Sequence, residues 1–219
     1  MTQHIQFPDL PQTLFITGIG TDVGKSYATG WMAREIALSG KSVITQKLIQ
    51  TGNRDMSEDI ETHRRIMGIP LQSVDRCHIT APIILSYPAS PHLAAEIDGI
   101  EIDFSMATQA TDTLLKKYEH VLIEGAGGLM VPLKKRYLTI DYIVENKLPV
   151  VLVTNGQLGS ISDTLLALNA INAEKIDIYA VIYNPHFDTD HIIATETHRY
   201  LKEYISEYFP KTLFLTMPQ

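Results

Sequence analysis

Residues 14–26 read Leu14-Phe15-Ile16-Thr17-Gly18-Ile19-Gly20-Thr21-Asp22-Val23-Gly24-Lys25-Ser26. A helical pattern follows this stretch, so strand, glycine-rich turn, lysine and hydroxyl occur in the order of a phosphate-binding loop. The glycines allow backbone N–H groups to turn inward around an anion, and the start of the helix adds partial positive charge. The spacing from Gly18 to Gly24 is one residue longer than in the standard motif, so the sequence predicts a variant loop.

Short apolar runs and helical patterns alternate along the rest of the chain. The runs predict strands at 13–17, 42–46, 120–124, 149–154, 178–183 and 212–216. The helical patterns lie at 25–39, 57–67, 103–118, 139–146, 160–172 and 188–208. Since most of the runs lack polar alternation, we expect an α/β fold with one doubly wound, mostly parallel sheet flanked by helices, of the P-loop NTPase type. We interpret the proline-containing stretch 69–102 as an excursion that shapes a pocket, and 1–219 as a single domain.

Composition and charge disfavour two kinds of partner. Apolar residues make up 45% of the chain, charged residues 20%, and the formal net charge is −7. An acidic surface repels nucleic-acid phosphates, and no apolar run approaches the roughly 20 residues of a membrane span. Cys77 is the only cysteine, and the first ten residues lack the basic and apolar segments of a signal peptide. We therefore predict a cytoplasmic protein that binds neither nucleic acid nor membrane.

A second glycine-rich segment follows the third predicted strand and reads Glu124-Gly125-Ala126-Gly127-Gly128. In an open α/β sheet, ligands bind beyond the carboxyl ends of the strands, which is where this segment lies. The carboxylate would then face the ligand, and the glycines would let the backbone approach a phosphate. A tight turn without a ligand explains the same glycines.

The residues after the fourth and fifth strands bear on the choice of base. The Asn-Lys-x-Asp motif of guanine-specific enzymes is absent after the fourth strand, where Gly156 replaces the lysine and Leu158 the aspartate. The sequence therefore favours ATP over GTP. After the fifth strand, Asn184 either reads the base through its amide or serves as a turn residue before Pro185.

Four segments together resemble the dethiobiotin synthetase family. They are the loop 17–26, the stretch Gln46-Lys47-Leu48-Ile49-Gln50-Thr51-Gly52, the tripeptide Ser90-Pro91-His92, and the strand and glycines of 121–132. The resemblance extends from the first strand to about residue 218. The first and fourth segments are shared with relatives of that family, and the combination with 46–52 makes the resemblance specific.

The resemblance implies a reaction, its reactants and an oligomeric state. Such enzymes use ATP and CO2 to close the urea ring of dethiobiotin on 7,8-diaminononanoate, a step of biotin synthesis. A carbamate forms on one amine and ATP phosphorylates it. The second amine then attacks the carbamic-phosphoric anhydride and phosphate leaves. The resemblance further implies Mg²⁺ and a homodimer whose active site lies at the subunit interface.

The same resemblance implies roles for individual residues. Lys25, Lys47 and Thr21 take the catalytic positions, where two ammoniums in a water-poor cleft can stabilise the phosphorylated carbamate by several kcal/mol. Thr21, Lys47 and Thr51 contact the diamine or its carbamate. At position 51 this chain has threonine where the family usually has serine. The helix start at Ser160 would approach the substrate carboxylate of the partner subunit, and an ordinary helix N-cap there is the alternative.

The implied Mg²⁺ ligands are the oxygen donors Ser26, Asp59 and Glu124, which suit this hard cation. Asp55 and Glu58 are alternatives to Asp59. The predicted nucleotide-binding residues are Asp22, Val23, Gly24, Lys25, Ser26, Tyr27, Asp59, Glu124, Gly125, Ala126, Gly127, Asn184, Pro185 and Pro218. Relatives often continue beyond the position of Pro218 with a segment that covers the adenine. Weaker base selectivity is therefore an expectation for this chain.

A different functional class shares the variant loop and the sheet. Partitioning-type ATPases use ATP to switch dimerisation and partner binding, but they usually carry a second lysine within the loop, where this chain has Ile19-Gly20-Thr21. They also tend to have a basic or amphipathic surface, which the charge of −7 disfavours. A small-molecule kinase that transfers phosphate to a stable acceptor is a third hypothesis.

Overall fold

The structure is a computed structural model that describes residues 5–218; residues 1–4 and 219, which belong to the predicted single domain, lie outside the described residues. The described part contains the strands β1 (Thr13–Gly18), β2 (Val43–Lys47), β3 (Gln50–Thr51), β4 (Ile84–Leu85), β5 (His120–Gly128), β6 (Pro132–Lys134), β7 (Tyr137–Leu138), β8 (Val150–Asn155), β9 (Ile178–Asn184) and β10 (Leu213–Thr216). Its helices are α1 (Lys25–Leu38), α2 (Glu58–Met67), α3 (Ser73–Arg76), α4 (Pro91–Asp98), α5 (Ser105–Leu115), α6 (Thr139–Glu145), α7 (Ser160–Ala173) and α8 (His191–Tyr208).

Six parallel strands form the main sheet in the order β10-β9-β8-β1-β5-β2. The predicted α/β class with a doubly wound parallel sheet is thereby confirmed. Five of the six predicted strands agree with the structure to within one residue at each end. The remaining one, β5, continues to Gly128, so the glycines after Glu124 extend a strand and do not make the tight turn considered as an alternative.

Both faces of the sheet are buried, which is why its strands are apolar without alternation. Leu14 and Ile16 point into the cluster that contains Trp31 of α1, whereas Phe15 between them points into the cluster on the other face. There the Phe15 ring lies 6.1 Å from that of Tyr142 in α6. None of the helices within residues 5–218 is long and apolar enough to cross a membrane.

The six predicted helices are present. The helix predicted at 103–118 is shorter, Ser105–Leu115, and the start of the last helix differs for an identifiable reason. The predicted helix 188–208 begins three residues later, at His191, because the Asp190 side chain accepts hydrogen bonds from the Ile192 and Ile193 N–H groups and caps α8 there. A short 3₁₀ turn, Pro185–Phe187, precedes it. The stretch 69–102 is more regular than predicted, since it contains α3, β4 and α4.

The topology places the end of β1 at a switch point. β5 lies on one side of β1 and β8 on the other, so the connections that leave the sheet diverge beyond these carboxyl ends, where open α/β sheets bind ligands. The register of the parallel pair β2–β5 sets Lys47 directly beside Glu124. Two charged side chains that are 77 residues apart in the sequence therefore emerge side by side.

A close contact between α1 and α2 completes the frame of the site. A Cβ added at Gly30 of α1 would lie 3.2 Å from the Cα of His63 and 3.0 Å from the Cβ of Ile66, both in α2. Because glycine has no Cβ, α2 packs directly against α1. The face of α2 that carries Asp59 and His63 is held there against the ends of β2 and β5.

Candidate active site

The loop after β1 is fixed by one glycine and one asparagine. Gly24 has a φ of 88°, a left-handed conformation that favours glycine, and it caps α1. The Asn184 amide nitrogen donates to the Val23 carbonyl over 3.1 Å, and its oxygen accepts from the His186 N–H. Asn184 therefore clamps the loop and caps the 3₁₀ turn, so its amide serves the protein backbone as well as facing the cavity described below.

Lys25 is buried at the start of α1, and its ammonium donates to the Gly20 carbonyl over 2.8 Å. Burial lowers the pKa of Lys25 to about 8, although the nearby Glu124 carboxylate by itself would raise it. Its only hydrogen-bond acceptor among the described residues is that one carbonyl. Burial deprives this ammonium of the water that would stabilise its charge. Negatively charged phosphate oxygens would stabilise the charge instead, so Lys25 is suited to bind them strongly.

Lys47 lies between two carboxylates at the end of β2. Its Nζ is 2.6 Å from Asp59 Oδ2 and 2.8 Å from Glu124 Oε1, and it also donates to the Gly125 carbonyl over 3.0 Å. Burial by itself would lower the pKa of Lys47, but Glu124 and Asp59 together outweigh burial and raise it. Lys47 is therefore charged throughout the physiological pH range.

Glu124 is 1% exposed and yet ionised. Burial would raise its pKa, but the Lys47 ammonium and a hydrogen bond with His63 hold the pKa well below its ordinary value. The Ser26 hydroxyl lies 3.0 Å from Glu124 Oε1 and 2.7 Å from Asp59 Oδ1. Three oxygen-bearing side chains thus converge beside the phosphate loop.

These oxygens fit Mg²⁺, which prefers hard oxygen ligands and keeps positions for phosphate and water. Ser26, Asp59 and Glu124 would hold the ion, and Asp59 alone of the three acidic candidates in its segment lines the cavity. Asp55 and Glu58 are exposed and do not line it. Within residues 5–218, no three His, Cys, Asp or Glu side chains group as a metal site.

A cavity of about 770 Å³ opens above this cluster. The structure brings together on its wall most of the residues predicted from the sequence: Thr21, Asp22, Gly24, Lys25, Ser26, Tyr27, Lys47, Thr51, Asp59, Glu124, Ala126, Gly127, Asn184 and Pro218. Three other predicted nucleotide-binding residues, Val23, Gly125 and Pro185, are buried and do not line it. The carbonyl oxygens of Val23 and Gly125 accept hydrogen bonds from Asn184 and from Lys47, respectively.

Ser160 does not line this cavity. Gly159, with a φ of 100°, is the N-cap of α7, so the alternative of an N-cap at Ser160 is wrong. The Ser160 hydroxyl is buried and hydrogen-bonded to the side chain of Asn155 at the end of β8. The predicted role toward a partner subunit stays a prediction.

Sequence reasoning missed several residues of the site. His63, which was not assigned to the site from the sequence, is fully buried and its Nε2 lies 2.6 Å from Glu124 Oε2. Its position one helical turn after Asp59 was the available signal, since residues four apart share a helix face. Other cavity residues that were not predicted are Ile49, Gln50, Thr62, His186, Phe187 and Met217.

The excursion 69–102 contributes no residue to the cavity wall. It acts indirectly, because β4 pairs with β3 and supports Gln50 and Thr51 from behind. The Gln50 side chain in turn accepts a 2.6 Å hydrogen bond from Ser57, the residue that caps α2. The stretch is connected to the cavity wall through strand pairing, and its pocket-shaping role stays a prediction.

Comparisons with known proteins agree with this fold. The family model of the AAA domain matches residues 12–216. Among solved structures, FlhF complexed with GMPPNP/Mg(2+) aligns with a TM-score of 0.54 and 15% identity, covering 98% of this chain and 68% of that one. The structure of pNOB8 ParA bound to nonspecific DNA aligns with a TM-score of 0.51 and 15% identity, over 96% of this chain and 86% of that one. At such low identity these neighbours show the fold alone.

Curated relatives are much closer in sequence. The ATP-dependent dethiobiotin synthetase BioD 2 of Pasteurella multocida is 47% identical over 208 residues, 95% of this chain and 98% of that protein. The protein of the same name in Haemophilus ducreyi is 49% identical over 93% of this chain and 97% of its own length. The ATP-dependent dethiobiotin synthetase BioD of Chlorobaculum tepidum is 44% identical over 90% and 82%. The chain therefore belongs to the ATP-dependent dethiobiotin synthetase family.

Proposed function

We propose that this chain is an ATP-dependent ligase that converts 7,8-diaminononanoate, CO2 and ATP into dethiobiotin, ADP and phosphate, with Mg²⁺ as cofactor. The observation that carries the proposal is the position of Lys47, whose ammonium lies within 2.8 Å of both Asp59 and Glu124 beside the phosphate loop. A nucleotide-binding site alone requires only Lys25 and the loop. A second buried lysine in the same cavity suits a second anion, the carbamate of the diamine.

The chain's own residues account for the charges that the reaction develops. Lys25 binds the phosphates of ATP, and Lys47 binds the carbamate oxygens and stabilises them while the phosphoryl group is transferred. The hydroxyls of Thr21 and Thr51, both on the cavity wall, orient the diamine or its carbamate. Mg²⁺, which Ser26, Asp59 and Glu124 would hold, would neutralise negative charge on the phosphates. No covalent enzyme nucleophile is required, and alignment of the two substrates can contribute about 7–11 kcal/mol.

The competing function is that of a partitioning-type ATPase, a class that also has this fold. The loop residues Ile19, Gly20 and Thr21 contain no second lysine, and the formal net charge of −7 opposes DNA binding. The relatives identical at 44–49% carry the name of the ligase. We therefore infer that neither nucleic acid nor membrane is a partner and that the protein works in the cytoplasm.

The proposed function predicts a requirement for both co-substrates. Phosphate release from ATP and Mg²⁺ should be fast only when 7,8-diaminononanoate and bicarbonate are both present, because the acceptor of the phosphoryl group is the carbamate. The measurement is a continuous phosphate assay in which each component is left out in turn. Release that is stimulated by DNA or by lipid vesicles instead of the diamine would favour the competing ATPase.

We also propose that residues 1–219 form a single domain and that two copies assemble around the site. A groove beside the phosphate loop is lined by Ile19, Thr21, Met130 and Leu166, and it shares Thr21 with the cavity. Met130 is 57% exposed and Leu166 66%, and both line the same groove, so they form part of one exposed apolar patch. A second copy of the chain, placed on this groove, would bring its own helix α7 toward the substrate.

The assembly is tested by placing a charge in the groove. We expect Leu166→Glu to shift the protein to monomer and to raise the KM for the diamine more than tenfold, because part of the diamine site would be lost. Sedimentation velocity and steady-state kinetics report the two effects. Ile192→Glu, at an 80% exposed position of α8 outside the groove, is the matched control. A Leu166→Glu variant with unchanged mass and KM would reject the interface.

A further inference from the structure

The two oxygens of Glu124 have different partners. Oε1 faces the Lys47 ammonium at 2.8 Å and the Ser26 hydroxyl at 3.0 Å, on the side of the cavity. Oε2 faces away from the cavity and meets Nε2 of His63 at 2.6 Å. His63 is 0% exposed. One oxygen is thus available for binding, and the other is anchored inside the protein.

His63 is itself held by a buried chain of hydrogen bonds. Its Nδ1 lies 3.0 Å from the Thr45 hydroxyl oxygen, which also accepts from the Arg64 guanidinium over 2.7 Å. The same guanidinium makes two hydrogen bonds to Asp75, at 2.9 Å and 2.7 Å. Arg64 is almost fully buried, so this pair cannot exchange its partners for water.

The groups at the two ends of this series of hydrogen bonds determine which atoms donate and which accept. The Arg64 guanidinium can only donate and the Glu124 carboxylate can only accept. The Thr45 hydroxyl then donates its hydrogen to His63 Nδ1, and the His63 Nε2–H donates to Glu124 Oε2. The carboxylate thus requires a proton on His63 Nε2, and the Thr45 hydroxyl supplies the hydrogen bond at Nδ1 of the neutral ring.

The location of His63 indicates that its side chain does more than fill space in the core. It follows Asp59 by four residues on α2, so one helix face carries both a predicted metal ligand and the anchor of another. Thr45, which orients the ring, is two residues before Lys47 on β2. The elements β2, α2 and β5, which supply Lys47, Asp59 and Glu124, are thus joined by this buried chain of hydrogen bonds. An apolar side chain would fill the same space without fixing a carboxylate.

We propose that His63 is a positioning residue that fixes the rotation of the Glu124 carboxylate and so keeps Oε1 directed at the Mg²⁺ site beside Ser26. The proposal rests on the proposed function for the identity of the reaction, but its test requires only Mg²⁺ and a nucleotide. Removal of a hydrogen-bond partner behind a metal ligand typically weakens metal affinity about 10- to 100-fold. We expect a shift in that range when the anchor is lost.

The experiment measures the Mg²⁺ dependence of the binding of a non-hydrolysable ATP analogue, by calorimetry, without diamine or bicarbonate. His63→Leu should raise the Mg²⁺ concentration for half-saturation about 10- to 100-fold. His63→Gln should recover most of the affinity, because its amide N–H reaches the same oxygen. His120→Leu is the matched control. His120 is a buried histidine at the start of β5, the strand that carries Glu124, and it is hydrogen-bonded to the Pro11 carbonyl.

Thermal unfolding is recorded for every variant, because a filling role would lower the melting temperature without moving the Mg²⁺ titration. An unchanged titration in a folded His63→Leu protein overturns the proposal. Should that variant not fold, His63→Asn is compared with His63→Gln, since the shorter amide does not reach Oε2. Equal Mg²⁺ dependence of these two also overturns it. Failure of the diamine-dependent phosphate release would reject the ligase reaction and leave this result standing.

Discussion

Lys47→Met abolishes measurable ring closure and lowers turnover by at least about 100-fold, the effect expected when one fixed charge at a developing anion is removed. Methionine keeps most of the volume of the side chain but cannot bind carbamate oxygens. Nucleotide binding should be largely retained, because Lys25 and the loop remain. The measurement is single-turnover formation of dethiobiotin, with binding of the ATP analogue followed in parallel.

Stability changes too, because Lys47 is the counter-charge of two carboxylates. Its loss leaves Glu124 buried with only His63 and Ser26 as partners, at a cost on the order of 3 kcal/mol. The low pKa of Glu124 stabilises the folded state above its ordinary pKa of 4.5, and this contribution is lost as the pH falls. The difference in melting temperature between wild type and variant should therefore be largest at neutral pH and should decrease below about pH 4.5.

An exposed lysine provides the control for this variant. Lys116→Met, at the end of α5, should leave turnover and melting temperature unchanged, because its side chain makes no ion pair among the described residues. Near-normal ring closure by Lys47→Met would reject the catalytic role of Lys47 and, with it, the ligase mechanism proposed above.

Glu124→Gln is the second change with a large expected effect. The amide keeps the shape of the side chain but removes the charge that would bind Mg²⁺, and its NH2 group would confront the His63 Nε2–H or the Lys47 ammonium. We expect the Mg²⁺ requirement of phosphate release to rise more than about tenfold, with lower turnover at saturation. The measurement is a Mg²⁺ titration of phosphate release at saturating ATP, diamine and bicarbonate.

Glu58→Gln is the matched control, since Glu58 is exposed and lies beside Asp59 without lining the cavity. Its Mg²⁺ titration should match that of the wild type. A Glu124→Gln protein with an unchanged titration would remove Glu124 from the metal ligands. A shifted titration in Glu58→Gln would instead reopen the choice between Glu58 and Asp59.

The elements of the fold could be predicted from the sequence because each depends on contiguous residues. The apolar run of β1, the glycines of the loop and Lys25 at the start of α1 lie within 13 residues, 13–25, and their order implies the local structure. Alternation of strands and helices then implied a parallel sheet. Five of the six strands of the main sheet were predicted to within a residue at each end, and the exception is β5, where pairing of Gly18 with Gly128 extends the strand beyond Glu124. The two-stranded pairs β3–β4 and β6–β7 were not predicted.

What the sequence by itself determined was the phosphate loop, the α/β class and, through family resemblance, the candidate residues. Only the tertiary structure decided which acidic residue of 55–59 reaches the cavity, that His63 anchors Glu124, and that the Asn184 amide clamps the loop. The physical reason is distance along the chain. Lys47 meets Glu124 through strand register, and α2 reaches the site through close packing at Gly30, and neither contact leaves a periodic signal in the sequence.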